Sequence, residues 1–234
     1  MSAIRERHES PAMIGRATLG LGVMMLAIAL LIFLPAGTVR YWQAWAYLAV
    51  FGGSTAIITA YLVRYDRALL ARRLEAGPLA ERENRQRMLS GIANLGFLAL
   101  FVLSGVDRRL HWSTVSPMAS LIADAVVLLG FAIVLLTFRS NSYTSATIVV
   151  AKQQPLVDQG PYGVVRHPRY AGALLMLVAT PVALGSWWAS LGVLLVIAAI
   201  VARLLDEERH LSAHLGGYAG YRRRVRYRLV PHVW

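Results

Sequence analysis

The 234-residue sequence predicts an all-α integral membrane protein of about six transmembrane helices, with both termini cytoplasmic and a C-terminal helical hairpin. Composition, the length of the apolar blocks and the placement of the arginines carry that expectation. Residues of the AVILMFWYC set make up 57% of the chain and charged residues 15%, where soluble domains run at about 45–50% and about 25%. Mean hydropathy is +0.52. An ordinary soluble domain, a disordered chain and a long coiled coil are excluded on these grounds.

A helix needs about 20 mostly apolar residues to cross the hydrocarbon core. The first span is read at 14–34, ended by Pro35 and Gly37. A cleaved signal peptide is the competing reading. The apolar run 19–34 is longer than a signal h-region, and Ala44-Trp45-Ala46 lies too far downstream for cleavage, so the segment is kept as a span. The second covers 41–63, with Tyr41, Trp42 and Trp45 as an interfacial belt. The third and fourth cover 89–106 and 118–138. Then 171–184 and 187–204 form a hairpin around Gly185-Ser186, with Trp187 and Trp188 at the interface. Because 171–184 is short for a span, its helix is expected to begin earlier, with Pro168 placed to open it.

Lys plus Arg number 24 against 12 acids, a formal charge of +12. In a soluble chain that would suggest nucleic acid. Here the arginines sit between apolar blocks, so no nucleic-acid partner is expected; topology and anionic lipid headgroups explain the charge. The N-terminal arm carries three arginines, the loop 64–88 seven, the connection 139–170 four Arg/Lys and the tail from Arg203 seven. Opposite them stand Arg40, Arg108 and Arg109. An excess of 21 over 3 on one side places both termini in the cytoplasm. Cysteine is absent, which removes disulfides, thiolate metal sites and a cysteine nucleophile together.

The polar segments divide into surfaces and candidates. The loop 64–88 reads as two amphipathic helices broken at Gly77-Pro78, with Glu81–Arg85 and Glu83–Arg87 as i,i+4 pairs on a headgroup-facing surface. Asp124 lies near the outer end of its span, where it is expected to reach water or cap the helix. In 139–170, the stretch 147–150 reads as β-like or buried, and Gln159-Gly160-Pro161 as a tight turn. The last helix ends in Asp206-Glu207-Glu208. Three acids there oppose the macrodipole, so they hold either salt bridges or a cationic ligand. The hairpin returns them to the side where His167-Pro168-Arg169-Tyr170 enters, so both constellations are expected at one cytoplasmic mouth.

His210 and His214 stand at metal-ligand spacing, but the chain has six histidines in all, two of them near the termini, too few for a membrane desaturase, and no metal is expected. P-loop, GxGxxG, GxSxG and HExxH motifs are absent. No repeat of broken helices suggests a transporter. These absences favour a membrane enzyme with a cytosolic co-substrate.

The stretch Pro155-Leu156-Val157-x-x-Gly160-Pro161-Tyr162-x-x-x-Arg166-His167-Pro168-x-Tyr170-x-Gly172 resembles the signature of the isoprenylcysteine carboxyl methyltransferase family and its phospholipid methyltransferase relatives. So do Arg203-x-x-x-Glu207-Glu208-x-x-Leu211 and Gly216-x-Tyr218-x-x-Tyr221-x-x-x-Val225, ending at Pro231. The resemblance covers roughly 138–231, which divides the chain into N-terminal helices (1–137) and a catalytic region (138–234). It implies a methyltransferase using S-adenosylmethionine and releasing S-adenosylhomocysteine, with a cytosolic cofactor pocket over the hairpin. The implied contacts are Gln154, Pro155, Leu156, Val157, Tyr162, His167 and Glu207; Arg203 matches the arginine that faces the acceptor carboxylate. Gln154 stands where the family often has histidine.

The chemistry agrees. An ammonium, a sulfonium and an adenine call for acids and aromatic faces: Glu207 or Glu208 for the first, Tyr162 and Tyr170 for the others. A carboxylate acceptor needs no base, and Arg203 would orient it; an amine or thiol would need one, for which His167 is nearest. Taken alone, His167 reads as a structural histidine, and Arg203–Glu207 as an i,i+4 ion pair. Tyr218 and Tyr221 are expected to anchor at the interface, and Arg222–Arg228 to contact anionic headgroups, with packing over the cofactor pocket as the alternative. The reading is a methyltransferase acting on a lipid-like or prenylated acceptor drawn from the bilayer. The alternatives are a phospholipid or small-amine N-methyltransferase, an NADPH-dependent sterol-type reductase, and a non-enzymatic membrane scaffold.

Overall fold

The computed structural model describes residues 2–75, 84–144 and 156–234. Within them, regular structure is entirely helical: α1 (Ser2–Ala36), α2 (Trp42–Tyr65), α3 (Arg67–Glu75), α4 (Asn84–Leu110), α5 (Pro117–Ser140), α6 (Pro168–Ala183), α7 (Ser190–His214) and α8 (Tyr218–Arg224). A 3-10 turn, Gly160–Gly163, lies between α5 and α6. Four segments are long and apolar enough to cross a membrane: Pro11–Ala36, Trp42–Tyr65, Arg85–Leu110 and Pro117–Ser140. They match the first four spans read from the sequence, the second beginning one residue later, at Trp42. As expected, α6 starts at Pro168, but its 16 residues extend only about 24 Å, short of the ~30 Å core. Helix α7 has 25 residues, and its last turns carry Arg203, Asp206, Glu207 and Glu208.

The connections gather at two ends. At one, Arg108 donates to the Arg40 carbonyl (3.3 Å), and buried Asp107 accepts from the Ser113 amide (2.7 Å), the Ser113 hydroxyl (2.6 Å) and the Ser186 hydroxyl (2.5 Å). The α1–α2, α4–α5 and α6–α7 turns therefore meet there. At the other, basic end, Arg72 reaches the Ser142 carbonyl (2.5 Å) and Gln86 reaches Asp206 (2.8 Å). This joins α3, the start of α4, and the ends of α5 and α7.

Helix α6 packs chiefly on α5 and α7 on α4, while α6 and α7 touch sparsely. The hairpin is thus splayed, and glycines explain it. A Cβ on Gly172 would lie 2.7 Å from the Gly130 carbonyl oxygen, and one on Gly192 2.7 Å from that of Gly96. Lipid tails are as apolar as the side chains, so membrane helices associate through close backbone approach at small residues. Each arm of the hairpin finds its closest partner outside the hairpin.

Three sequence expectations are corrected. Tyr41 is not part of an aromatic belt: it is 1% exposed and donates to the Leu184 carbonyl, stapling α2 to the α6–α7 turn, while Trp42 and Trp45 are exposed. Asp124 neither reaches water nor caps its helix; Ser116 is the N-cap, accepting from the Ala119 amide (3.2 Å). Asp124 lies two turns inside, 5% exposed, with neither carboxylate oxygen hydrogen-bonded to a described residue. Tyr218 and Tyr221 are buried at 3% and 1%, packed with Leu156, Leu211, Leu215 and Val225. The tail folds back over the 156–162 segment, which takes both rings from the interface. The 147–150 stretch, the Gly77-Pro78 break and the acids of the two loop pairs lie outside the described residues.

Candidate functional site

At the basic end the splay between α6 and α7 holds two adjoining polar clusters. Glu208 is the centre of the first. Its Oε1 lies 2.7 Å from Arg166 Nε and 3.3 Å from His167 Nε2, and its Oε2 accepts from Arg228 Nε at 2.9 Å. Arg166, His167 and Glu208 are all buried. Burial alone would push the Glu208 carboxyl up; hydrogen bonds from His167 and Arg228, with the His167 and Arg166 charges, outweigh it and hold it at about 2. The backbone repeats the clamp. The Arg166 and His167 amides donate to the Tyr227 and Arg228 carbonyls at 2.9 and 3.0 Å, so the tail pairs with the segment that opens α6.

Glu207, one residue earlier and so about 100° around α7, faces α6. It accepts from the Tyr170 hydroxyl at 2.8 Å and lies 4.0 Å from Arg169 Nη2, with its side chain 23% exposed. Arg203 is within electrostatic reach of Tyr170 and Arg169 and donates to the Ser90 hydroxyl of α4 at 3.1 Å. The two constellations read from the sequence do converge, through Tyr170–Glu207 and His167–Glu208.

Tyr162, in the 3-10 turn, is partly buried. Its hydroxyl accepts from Asn141 Nδ2 (3.3 Å) and lies 3.1 Å from the Thr144 hydroxyl, and its carbonyl takes the Tyr221 hydroxyl (2.8 Å). Burial pushes the Tyr162 phenol up. Leu156 packs under Tyr218 and Tyr221, and Val157 is half-buried. Gln154 and Pro155 lie outside the described residues. Reading along the chain missed Arg166, Arg169 and Arg228 as partners. The signal for the first two was present, since both flank His167-Pro168; nothing local marks Arg228 among its neighbouring arginines.

The acids differ in what they offer a ligand. Both Glu208 oxygens are filled by protein cations, whereas Glu207 holds the Tyr170 hydroxyl and an ion pair with Arg169 at 4.0 Å and keeps its side chain 23% exposed. An acid beside tyrosine rings fits an ammonium-bearing cofactor, so this cluster passes a first chemical test for S-adenosylmethionine. On the far side of α6, an apolar groove of about 1010 Å³ runs between α5 and α6, from Val178 to Pro168, with Arg139 and Ser140 at its polar end. Leu229 lines that groove and packs on Tyr170 and Leu204, so one side chain separates it from the polar cluster.

Residues 118–217 match the phospholipid methyltransferase family model. The match begins in α5 and ends just before α8, so it contains both acid clusters but not Arg228. A curated relative, the Delta(14)-sterol reductase of Mus musculus, is 34% identical over 106 residues. That alignment covers 42% of this chain, and the chain spans 25% of the length of the reductase.

Proposed function

We propose that the protein is an S-adenosylmethionine-dependent methyltransferase whose acceptor is an amphipathic, lipid-like carboxylate of the isoprenylcysteine type, taken from the bilayer. The observation that carries this reading is the Tyr170–Glu207 pair in the mouth between α6 and α7, within a region matching a methyltransferase family. The mouth is read as cytoplasmic, on the arginine excess, with α6 and α7 completing six passes.

When bound, S-adenosylmethionine supplies a methyl on a sulfonium; the S–CH₃ bond breaks as the acceptor O–CH₃ bond forms, and its electrons stay on the sulfur of S-adenosylhomocysteine. Glu207 would hold the ammonium, and the Tyr170 and Tyr162 faces the sulfonium and adenine sides, with Leu156 and Val157 along the rim. The same reading assigns Gln154 and Pro155 to the cofactor on the sequence resemblance alone. Arg203 would orient the acceptor carboxylate by a charge-assisted hydrogen bond.

The residues then have little chemistry to perform: they position two reactants in line and keep water out. A carboxylate is already nucleophilic at neutral pH. That suits His167, whose Nε2 is already committed to Glu208 and whose side chain is 4% exposed. Only an amine or thiol acceptor would call on it as a base. Glu208 then serves by holding Arg166, His167 and the tail in place. The apolar groove along α5 and α6 is the reason for reading the acceptor as lipid-like.

Calorimetric titration with S-adenosylhomocysteine tests the reading, with NADPH as control and Glu207→Gln as second sample. Saturable S-adenosylhomocysteine binding, weakened about tenfold or more in the variant, supports it. A folded protein that ignores S-adenosylhomocysteine and binds NADPH would instead make it a reductase, the reading favoured by the sterol reductase similarity.

A further inference from the structure

A second cavity, of about 510 Å³, lies against Glu208 and is lined by Leu205, Arg209, Ser212, Arg222 and Arg228. We propose that it binds the phosphate of an anionic phospholipid headgroup. Charge comes first. Arg222 donates to the Ser212 hydroxyl at 3.2 Å, and no carboxylate among the described residues lies within ion-pair distance of it. Arg228 commits Nε to Glu208 (2.9 Å), and its two terminal nitrogens make no hydrogen bond among the described residues. Arg209 lies 3.1 Å from Asp206, a carboxylate it shares with Arg85. Three guanidinium groups thus border a cavity lined by one carboxylate, Glu208, which also neutralises Arg166, while Asp206, outside the lining, is shared by Arg209 and Arg85. The surplus is positive, and the donors suit a phosphate, which accepts forked N–H pairs and a hydroxyl together.

The level of the cavity selects the source. Leu204 and Leu205 end the apolar part of α7. Arg209 stands four residues on, about 6 Å higher, and Ser212 nearly one turn above that. On the proposed reading of α7 as the sixth pass, on which this step rests, a cavity with an apolar floor and arginines one turn higher lies at headgroup depth. The site is separate from the cofactor reading above, because it lies on the Glu208 side of α7 rather than the Glu207 side.

The test uses the full chain in neutral detergent micelles, titrated with dioleoyl phosphatidic acid, dioleoyl phosphatidylcholine, inorganic phosphate and S-adenosylhomocysteine. Phosphatidic acid is expected to bind at least about tenfold more tightly than phosphatidylcholine. The double variant Arg209→Ala, Arg222→Ala should lose about thirtyfold, two charge contacts, for phosphatidic acid while binding S-adenosylhomocysteine as wild type does. Arg222→Lys keeps the charge without the fork and should fall in between, which separates a local binding effect from misfolding. Equal binding of the two lipids overturns the proposal, as does unchanged phosphatidic acid affinity in the double variant. Inorganic phosphate binding as tightly as phosphatidic acid removes the lipid as source. Displacement of phosphatidic acid by S-adenosylhomocysteine makes the cavity part of the cofactor site and likewise overturns it.

Discussion

Replacing Glu208 with glutamine removes one negative charge from beside Arg166, His167 and Arg228. Arg166 and His167 are buried beside it, and Arg228 is half-buried, so little water can take the carboxylate's place. The size of the loss follows from the carboxyl itself. Folding lowers it from 4.5 to about 2, and at 1.36 kcal/mol per unit this is worth about 3 kcal/mol. Breaking a buried ion pair by removing one partner costs about 3–5 kcal/mol, the same range reached independently. For a chain of this length, 3 kcal/mol corresponds to a melting temperature lower by about 6–12 °C. The pH dependence has a definite sign. A carboxyl depressed by folding stabilises the fold fully above its unfolded value of 4.5, and that contribution is lost as pH falls towards 2. Melting followed by tryptophan fluorescence in detergent, at pH 7 and stepwise from pH 5 to 2.5, reads both effects. Wild type should lose stability across that window, and Glu208→Gln should start lower and lose less. A variant melting within about 1 °C of wild type at pH 7 would refute the ion cluster as a stabilising centre.

Gly172→Ala places a Cβ 2.7 Å from the Gly130 carbonyl oxygen and should cost about 1–3 kcal/mol by prying α6 off α5; Gly53→Ala, with nothing within 4 Å, is the control in the same thermal assay. Asp124→Leu removes a buried carboxylate that has no hydrogen-bond partner among the described residues and should leave stability unchanged or raised. A loss above about 2 kcal/mol would show that Asp124 is satisfied by a partner.

The parts of the fold legible in the sequence are those governed by apolar length. The four long spans and the start of α6 at Pro168 needed only hydropathy and proline geometry. The packing partners were not legible, because a single glycine at a helix crossing leaves no periodic mark: Gly130 and Gly172 are 42 positions apart and read locally as helix weaknesses. Burial of Tyr218 and Tyr221 escaped for a related reason, since tyrosine near a membrane surface has two good positions and only the returning tail decides between them. In the candidate site, the sequence brought Tyr170 and Glu207 to one place by topology. Chemistry alone left Glu207 and Glu208 interchangeable as partners for an ammonium, and only the family resemblance singled out Glu207, because adjacent acids on a helix differ only in what each neighbour presents to them.

That difference explains why three acids can stand together where the α7 macrodipole disfavours them. Successive helical residues are about 100° apart, so the three carboxylates fan out. Asp206 turns to α4, taking Gln86 Nε2 at 2.8 Å and Arg85 at 3.1 Å. Glu207 turns to α6, taking the Tyr170 hydroxyl at 2.8 Å. Glu208 turns to the tail, taking Arg228 Nε at 2.9 Å. Each repulsion from the helix end, worth about 0.3–1 kcal/mol, is offset by a partner on a different element. Two of these contacts fix α4 and the tail against α7 through arginines. The third uses a neutral hydroxyl, with Arg169 4.0 Å away. The most exposed of the three acids, with its side chain 23% exposed against 12% for Asp206 and 5% for Glu208, therefore stands where α6 and α7 diverge.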